Sequence, residues 1–226
     1  MLIPGLLASA RMYAAQVPQL WRAGPVMIAD HTRDDSMSGI ARRILSAAPA
    51  RFALAGLSMG GYIAFELLRQ APQRIAKVAL LDTSARADAP EQTAMRRAQM
   101  TLASQGRLAE VVEQQFPRLV QRARRADVEL RQLFDLMAQE VGAAGFIRQQ
   151  TAILGRADSR ATLGSIRCPT LVLVGEGDEL TPPELAAEIA AGIPGARLTT
   201  VPQCGHMSTL EQPDEVTRAL LEWLEA

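Results

Sequence analysis

The sequence predicts an α/β protein with a mostly parallel central sheet of about six strands, flanked by helices and carrying an inserted helical lid. Short apolar runs alternate with amphipathic stretches, which is the pattern of parallel strands joined by crossover helices. One long stretch of the chain shows helical periodicity alone. A glycine-flanked serine also joins an apolar run directly to a helix with an apolar face, so we expect a functional site at the edge of the sheet.

Six short apolar runs are the predicted strands. They are Leu2-Ile3, Val26-Ala29, Phe52-Ala55, Val78-Leu81, Leu171-Val174 and Leu198-Val201. The amphipathic stretches between them supply the helical connections that parallel pairing requires.

The lid is predicted between the fourth and fifth strands, where no convincing strand is found. A first set of apolar residues recurs at helical spacing: Leu108, Val111, Val112, Phe116, Leu119 and Val120. A second set, from Val128 to Val141, precedes Gly142 and Gly145, which can end one helix before "FIRQQTAIL" begins another. Residues 1–84 and 161–226 are therefore expected to form the core and residues 85–160 the lid.

Composition limits the functions that the protein can have. Its 226 residues are 48% hydrophobic and 21% charged, with a formal net charge of zero, which suits one globular unit. No apolar run reaches the roughly 18 residues of a membrane span, and "MLIPGLLASARMY" lacks the basic segment of a signal sequence. No dense basic run is paired with aromatic residues, as nucleic-acid binding would favour. We expect a cytoplasmic protein whose partner is a neutral or singly charged small molecule, and the sequence predicts no oligomeric state.

The stretch "ALAGLSMGGYIAFELL", residues 53–68, predicts a nucleophile elbow. Ser58 stands between the apolar run "RFALA" and the helix "YIAFELL", flanked by Gly56 and Gly60. A serine in such a turn has a strained backbone, so its neighbours must be small, and the strain lifts the hydroxyl above the carboxyl ends of the strands. The alternative is a glycine-rich turn in which the serine only caps a helix.

A serine nucleophile needs a base, and the chain has only two histidines. His206, in "VPQCGHMSTLEQP", follows the last predicted strand, from which a loop can return it to the carboxyl edge of the sheet. His31 follows "VMIAD" but lies among three aspartates in a polar loop, so we interpret it as a solvated residue.

The carboxylate that orients the base has two candidates. Asp178 lies in "TLVLVGEGDELTPPE", in a glycine-rich turn after the fifth strand and before a proline-led helix. Asp82 follows the fourth strand in "VALLDTS", where it could instead bond the backbone of "TSAR". We favour Asp178, which gives the chain order Ser58, Asp178, His206 for the catalytic residues.

These segments resemble the alpha/beta-hydrolase superfamily over nearly the whole chain. "GLSMGG", "VGEGDELTPP" and "CGHMSTLEQP" are similar to its nucleophile, acid and histidine segments, and "DTSARADAPEQTAMRR" opens its lid. The resemblance implies a parallel sheet, a helical cap, hydrolysis through an acyl-serine intermediate, and neither a metal nor an organic cofactor. It is strongest to small bacterial esterases and lactonases, while C–C bond hydrolases and cofactor-free perhydrolases share the same triad.

The resemblance also implies the oxyanion hole, formed by two backbone N–H groups. One belongs to Met59, the residue after the nucleophile, and the other to Leu6, in "PGLL" after the first strand. The sequence departs from the family in two ways. Pro4-Gly5 replaces the usual His-Gly, and the usual leading antiparallel strands are absent, so we expect a sheet with an abbreviated start.

We therefore predict a serine hydrolase acting on a small, mainly apolar carboxylic ester or lactone. C–C bond hydrolysis and perhydrolysis by the same residues remain open, as does a ligand receptor that keeps the fold without catalysis. As a rival nucleophile Cys204 has no elbow, and Cys168 and Cys204 are expected at opposite sheet ends as free thiols. Five lid arginines could bind an anionic substrate, although an arginine-rich helix is more often a solvated face; they are Arg118, Arg122, Arg124, Arg125 and Arg131.

Overall fold

A parallel sheet forms the centre of the computed structural model, which describes residues 1–226. Its strands are β1 (Leu2–Ile3), β2 (Phe52–Leu57), β3 (Ile75–Leu81), β4 (Thr170–Gly175) and β5 (Arg197–Val201). They lie side by side in chain order, and every pair is parallel. The predicted α/β class with a parallel sheet is confirmed.

Only five of the six predicted strands form. The run Val26-Ala29 makes only a single β-bridge, between Ile28 and Leu2. The Leu2 N–H donates to the Met27 carbonyl at 2.8 Å, and the Ala29 N–H donates to the Leu2 carbonyl at 2.9 Å. Its partner β1 has two residues and is followed by Pro4, which has no N–H to extend a ladder. The prediction of about six strands is wrong by this one edge element.

The strands are apolar on both faces, and this explains their uninterrupted hydrophobic runs. Ala55, Leu57 and Leu173 belong to one buried cluster, whereas Leu54 and Val172 belong to a second cluster on the opposite face. Helices α2 (Met37–Ala47), α3 (Met59–Gln70) and α8 (Pro183–Gly192) pack on the second cluster. Helix α10 (Pro213–Glu225) packs on the first through Leu220 and Trp223.

Short helical elements complete the connections. They are α1 (Val17–Leu20), α7 (Arg160–Leu163) and α9 (Ser208–Glu211), with 3-10 turns at Ala10–Tyr13, Pro72–Arg74 and Arg122–Arg124. None of the helices combines the length and the apolar character that crossing a bilayer requires.

Three long helices and no strand lie between β3 and β4. They are α4 (Pro90–Ser104), α5 (Leu108–Leu119) and α6 (Val128–Leu154). Asp127 caps α6 by accepting the Leu130 N–H at 2.9 Å. Gly142 breaks the regular geometry of α6 with φ +67°, whereas Gly145 does not end a helix, so the predicted break falls at the first of the two glycines. The lid boundaries at residues 85 and 160 stay a prediction.

Candidate active site

Ser58 lies at the junction between β2 and α3, in a backbone conformation that side chains rarely adopt. Its φ is +54° and its ψ is −113°. The residue is held there by the Leu81 carbonyl, which accepts its N–H at 2.9 Å, and by Thr83, whose hydroxyl donates to its carbonyl at 2.8 Å. The strain is therefore stabilised by β3 and the residues that follow it.

The two glycines that flank this turn permit its close backbone contacts. A Cβ on Gly56 would lie 2.3 Å from the Gly60 carbonyl oxygen, and a Cβ on Gly60 would lie 2.2 Å from that of Ile3. Both distances are far inside van der Waals contact, so the turn requires glycine at both positions.

His206 and Asp178 form a buried hydrogen-bonded pair. The Nδ1 atom of His206 lies 2.8 Å from Oδ2 of Asp178, and the His206 and Asp178 residues are 2% and 3% exposed. Asp178 is itself fixed by the backbone N–H groups of Leu180 (2.8 Å) and Thr181 (2.9 Å) and by the Thr181 hydroxyl (2.6 Å). The turn after β4 thus fixes the orientation of the carboxylate that contacts the imidazole.

The environment of this pair favours the ion pair over two neutral groups. Burial opposes the charged imidazole, but the negative charge of Asp178 and its hydrogen bond outweigh burial and raise the pKa of His206 above its usual value. Burial likewise opposes the Asp178 carboxylate, and His206 lowers the pKa of that carboxyl overall. The outer nitrogen of His206, Nε2, is buried and has no hydrogen-bond partner within the protein.

Asp82, the competing carboxylate, does not contact His206. Its oxygens accept the Gly175 N–H at 2.9 Å and the Ser208 hydroxyl at 2.5 Å, not the backbone of "TSAR" as the sequence suggested. Asp82 is fully buried with a φ of +43°, and its side chain contacts the end of β4 and the first residue of α9, which the local sequence does not reveal. Burial, with the nearby charge of Asp178, raises the pKa of Asp82 well above its usual value.

The histidine loop is anchored to the end of α5 and to a buried glutamate. The N–H of His206 donates to the Leu119 carbonyl at 3.0 Å, at the end of α5. Glu211 accepts the N–H groups of Gly205 (3.0 Å), Met207 (3.2 Å) and Gln121 (2.8 Å), and burial raises its pKa. Sequence reasoning missed Glu211, although an acid five residues after the histidine in the mostly uncharged stretch "GHMSTLE" is the signal that could have found it.

The loop after β1 presents the other predicted oxyanion residue. The N–H of Leu6 has no hydrogen-bond partner within the protein, and Met59 is the first residue of α3, where an N–H has no partner in the helix. Neighbouring groups fix the loop, because the Leu7 N–H donates to Oε1 of Gln149 at 3.2 Å and Gly5 packs its N–H on the Met12 sulfur at 3.4 Å.

His31 is buried, so its prediction as a solvated loop residue is wrong. It is 2% exposed, and its Nε2 lies 2.9 Å from the Gly5 carbonyl oxygen and 3.0 Å from Nε2 of Gln149 on α6. Burial lowers its pKa, which favours the neutral imidazole. The aspartates beside it turn outward, and Asp30 pairs with Arg33 at 2.6 Å.

One cavity of about 340 Å³ joins these groups. Ser58, His206, Leu6 and Met59 all line it, together with Phe134 of α6. Its further apolar lining comes from Met12, Leu57, Met95, Leu119, Ile153, Leu180, Leu185 and Met207. The volume is at the lower end of small-molecule sites, so a small and partly apolar ligand fits.

Of the five lid arginines singled out in the sequence, only Arg118 lines this cavity. Arg122 and Arg125 both pair with Glu179, at 2.7 and 2.8 Å. The others also have acidic partners on the lid: Arg124 pairs with Asp127, and Arg131 with Glu113 and Asp135.

Other reactive groups do not form a second centre. Both cysteines are free, and burial raises the pKa of the Cys204 thiol, which disfavours the nucleophilic thiolate. No three His, Cys, Asp or Glu side chains are grouped in an arrangement that could hold a metal ion.

Comparison with known proteins agrees with the geometry. The sequence model of the Alpha/beta hydrolase family matches residues 2–219. A pimeloyl-[acyl-carrier protein] methyl ester esterase of Chromobacterium violaceum is 30% identical over 175 residues, covering 75% of this chain and 68% of its own. A 2-hydroxy-6-oxononadienedioate/2-hydroxy-6-oxononatrienedioate hydrolase of Paraburkholderia xenovorans is 23% identical over 90% of this chain and 73% of its own. A thermophilic esterase from Thermogutta terrifontis superposes with a TM-score of 0.88 at 29% identity, covering 99% of this chain and 88% of that one.

Proposed function

Because this chain belongs to the alpha/beta hydrolase family, we propose that it is a serine hydrolase that cleaves a small, mainly apolar carboxylic ester or lactone. One observation carries the proposal: the buried His206–Asp178 pair leaves Nε2 of the imidazole without a partner, in the cavity that Ser58 lines. The esterase names of two relatives support ester cleavage.

In the proposed reaction, the Ser58 hydroxyl attacks the ester carbonyl carbon while Nε2 of His206 takes its proton. Asp178 orients the imidazole through Nδ1 and stabilises its charged form. The N–H groups of Leu6 and Met59 donate hydrogen bonds to the oxyanion of the tetrahedral intermediate. The histidine then returns the proton to the leaving alkoxide, which leaves an acyl-serine.

Water completes the cycle by the same route. His206 takes a proton from a water molecule, the resulting hydroxide attacks the acyl carbon, and the proton returns to Ser58 as the acid is released. In a lactone the alcohol and the acid are parts of one molecule, so a single hydroxy acid leaves. The proposal requires neither a metal nor an organic cofactor, and the cytoplasmic location stays a prediction.

Active-site labelling followed by turnover tests the proposal. A fluorophosphonate probe should label the wild-type protein and not Ser58→Ala, because the probe forms a bond to an activated serine. The wild type should then hydrolyse short p-nitrophenyl esters, and Ser58→Ala should lose about 10⁶-fold in kcat with its circular dichroism unchanged.

The outcomes separate the alternatives. Labelling without turnover of any ester, lactone or diketone would indicate a receptor that keeps the fold. Turnover of diketones alone would replace ester cleavage by C–C bond hydrolysis, and peroxyacid formation exceeding hydrolysis would indicate a perhydrolase. Retained acylation of Ser58→Ala would remove Ser58 from the mechanism.

A further inference from the structure

The active-site cavity is rich in positive charge along the part of its lining that four arginines form, which we call the roof. Four arginines line the cavity, Arg86, Arg96, Arg118 and Arg156, and no aspartate or glutamate does. Arg86 is neutralised by Glu188, which does not line the cavity and accepts from Nε and Nη2 of Arg86 at 2.9 Å each. The remaining three arginines decide the net charge of the roof.

Two of these arginines are buried and share one carboxylate. Arg96 and Arg156 approach Asp88 at 2.7 Å each, and the side chains of Arg96, Arg156 and Asp88 are 11%, 6% and 4% exposed. Two guanidinium groups always carry two positive charges at neutral pH, so one buried carboxylate leaves a surplus of one. A buried surplus charge is costly unless an opposite charge approaches it.

The donors of the pair are also incompletely used. Arg156 donates through Nε to the Arg86 carbonyl (3.2 Å) and through Nη1 to that of Ile153 (3.3 Å), while Nη2 has no acceptor within the protein. Its guanidinium stacks over the ring of Tyr62 at 4.3 Å, which fixes the plane of the free donors. Arg96 donates through Nε (2.7 Å) and Nη2 (3.4 Å) to Asp88 and through Nη1 to Gln150 (2.9 Å), which leaves one N–H on each of Nη1 and Nη2.

Arg118 adds a second, exposed charge. It has no carboxylate within ion-pair distance, and its Nη1 contacts the Met95 sulfur at 3.4 Å. The other four arginines that the sequence grouped with it all have acidic partners. Because Arg118 is exposed, solvent and salt screen its charge more than that of the buried pair.

We propose that Arg96 and Arg156, assisted by Arg118, bind a carboxylate group of the substrate. The inference rests on the proposed function: the ester or lactone cleaved at Ser58 would be the half-ester or lactone of a dicarboxylic acid. A guanidinium with free, coplanar N–H groups matches the two oxygens of a carboxylate. The single surplus charge of the buried pair matches a monoanion, and the small cavity limits the chain between carboxylate and reacting carbonyl to a few carbons.

Two substrates that differ only in charge test this inference. The p-nitrophenyl monoester of glutaric acid carries a free carboxylate, and its methyl ester does not. We expect the wild type to prefer the charged substrate by roughly tenfold to a hundredfold in kcat/KM, the range of hydrogen bonds to a charged group. Arg96→Gln and Arg156→Gln should lower kcat/KM for the charged ester far more than for the neutral ester and so remove most of that preference.

Matched variants separate local binding from the general charge of the lid. Each single variant leaves Asp88 with one arginine, so the buried carboxylate keeps a partner. Arg97→Gln removes an exposed arginine of α4 outside the cavity and should keep the full preference. Arg118→Gln should lower the preference by a few-fold, and 0.5 M salt should reduce its contribution.

Several outcomes would overturn the inference. Equal kcat/KM of the wild type for the two esters would do so, as would an equal loss on both esters in Arg96→Gln, which would indicate a structural role. If neither ester is hydrolysed, that result counts against the proposed function and not against the carboxylate site. Calorimetric titration with glutarate then tests the carboxylate site by itself. Glutarate binding that Arg96→Gln abolishes would support it, and no binding would remove it. Tighter binding of methyl phosphate than of glutarate would replace the carboxylate by a phosphate group.

Discussion

The candidate catalytic residues, which we call the floor of the site, and the arginines of the roof differ in how their charges are balanced. On the floor, Ser58, Asp178 and His206 are buried, and each is held by hydrogen bonds from loops at the carboxyl ends of the strands. On the roof, Arg96, Arg156 and Arg118 have fewer carboxylates than positive charges. The floor pairs the Asp178 carboxylate with His206, whereas the roof leaves a positive charge for another molecule to balance.

This difference separates chemistry from selectivity. Side chains that are fixed by hydrogen bonds within the protein keep their geometry whatever substrate enters, and catalysis requires such a fixed geometry. An incomplete network gains most from a ligand that supplies the missing group, so it discriminates between ligands. We therefore expect substitutions on the floor to lower turnover of every substrate, and substitutions on the roof to change which substrate is preferred.

The largest effect in this comparison is expected from the two buried aspartates of the floor. Asp178→Asn should lower kcat by up to about 10⁴-fold, because an amide fixes the wrong imidazole tautomer and cannot stabilise the charged ring. Asp82→Asn should lower kcat only modestly, because Asp82 contacts Gly175 and Ser208 instead of His206. Both variants are measured on one ester at saturation.

Circular dichroism provides the control, since both carboxylates are buried. A severe loss in Asp82→Asn with an active Asp178→Asn would reverse the assignment of the acid. The roles of Ser58 and His206 could stand in that case.

A smaller effect is expected from His31, which contacts the Gly5 carbonyl in the loop that carries Leu6. His31→Phe should lower kcat by roughly tenfold to a hundredfold, because the Gly5 carbonyl loses its partner and the Leu6 N–H is no longer held in place. KM should change little, since His31 does not line the cavity. His31→Gln, which can keep a donor near Nε2, should recover part of the rate.

A purely structural role for His31 predicts a different result. Both variants would then lose thermal stability and keep the kcat of the folded fraction. Active-site titration of that fraction distinguishes the two possibilities.

The pH dependence of kcat/KM tests how the floor is built, because it reports the effect of Asp178 on the pKa of His206. Only neutral His206 accepts the serine proton, so kcat/KM should rise with pH through a pKa above the ordinary imidazole value of about 6.5. The direction follows from Asp178, whose charge stabilises the protonated ring. The residual activity of Asp178→Asn should therefore have its acid limb at lower pH.

Rate-limiting chemistry must be established for this comparison, for example by a solvent isotope effect. A limb that stays in place in Asp178→Asn would assign the titration to another group. Charge on Asp82 or Glu211 would raise the pKa of His206 in the same direction as Asp178, but by less.

The smallest effect is expected at Gly142, the break in the longest lid helix. Its φ of +67° and ψ of 169° lie in a region that only glycine adopts freely, and a Cβ there would meet no neighbour. Gly142→Ala should thus lower the free energy of unfolding by about 1–3 kcal/mol through backbone strain alone. Urea denaturation measures it, with Ala143→Gly as a control for helix propensity.

Activity of folded Gly142→Ala should stay within about twofold, because Gly142 does not line the cavity. A large loss of kcat with unchanged stability would show that the break positions the lid for catalysis.

Local sequence determined the strands, the elbow and the order of the candidate catalytic segments. Apolar runs predict strands because a parallel sheet buries both faces, and five of the six runs form strands. Gly56 and Gly60 predict the elbow because no Cβ fits there. The position of each polar residue directly after a strand predicts that they meet, since parallel strands end at one edge. The catalytic roles themselves stay predictions.

Only the tertiary structure decided how residues far apart in the chain are paired. Asp178 and Asp82 both follow strands, and the difference is which side chain reaches His206, 28 residues or 124 residues away. His31 looks solvated beside three aspartates, yet contacts from Gly5 and from Gln149, 118 residues away, bury it. Arg118 differs from its neighbours in having no acid in reach. The spacing of hydrophobic residues and the residue types of turns are local properties, so they can be recognised in the sequence. The burial of a side chain and the balance of charge around it depend on long-range contacts that form only when the chain folds.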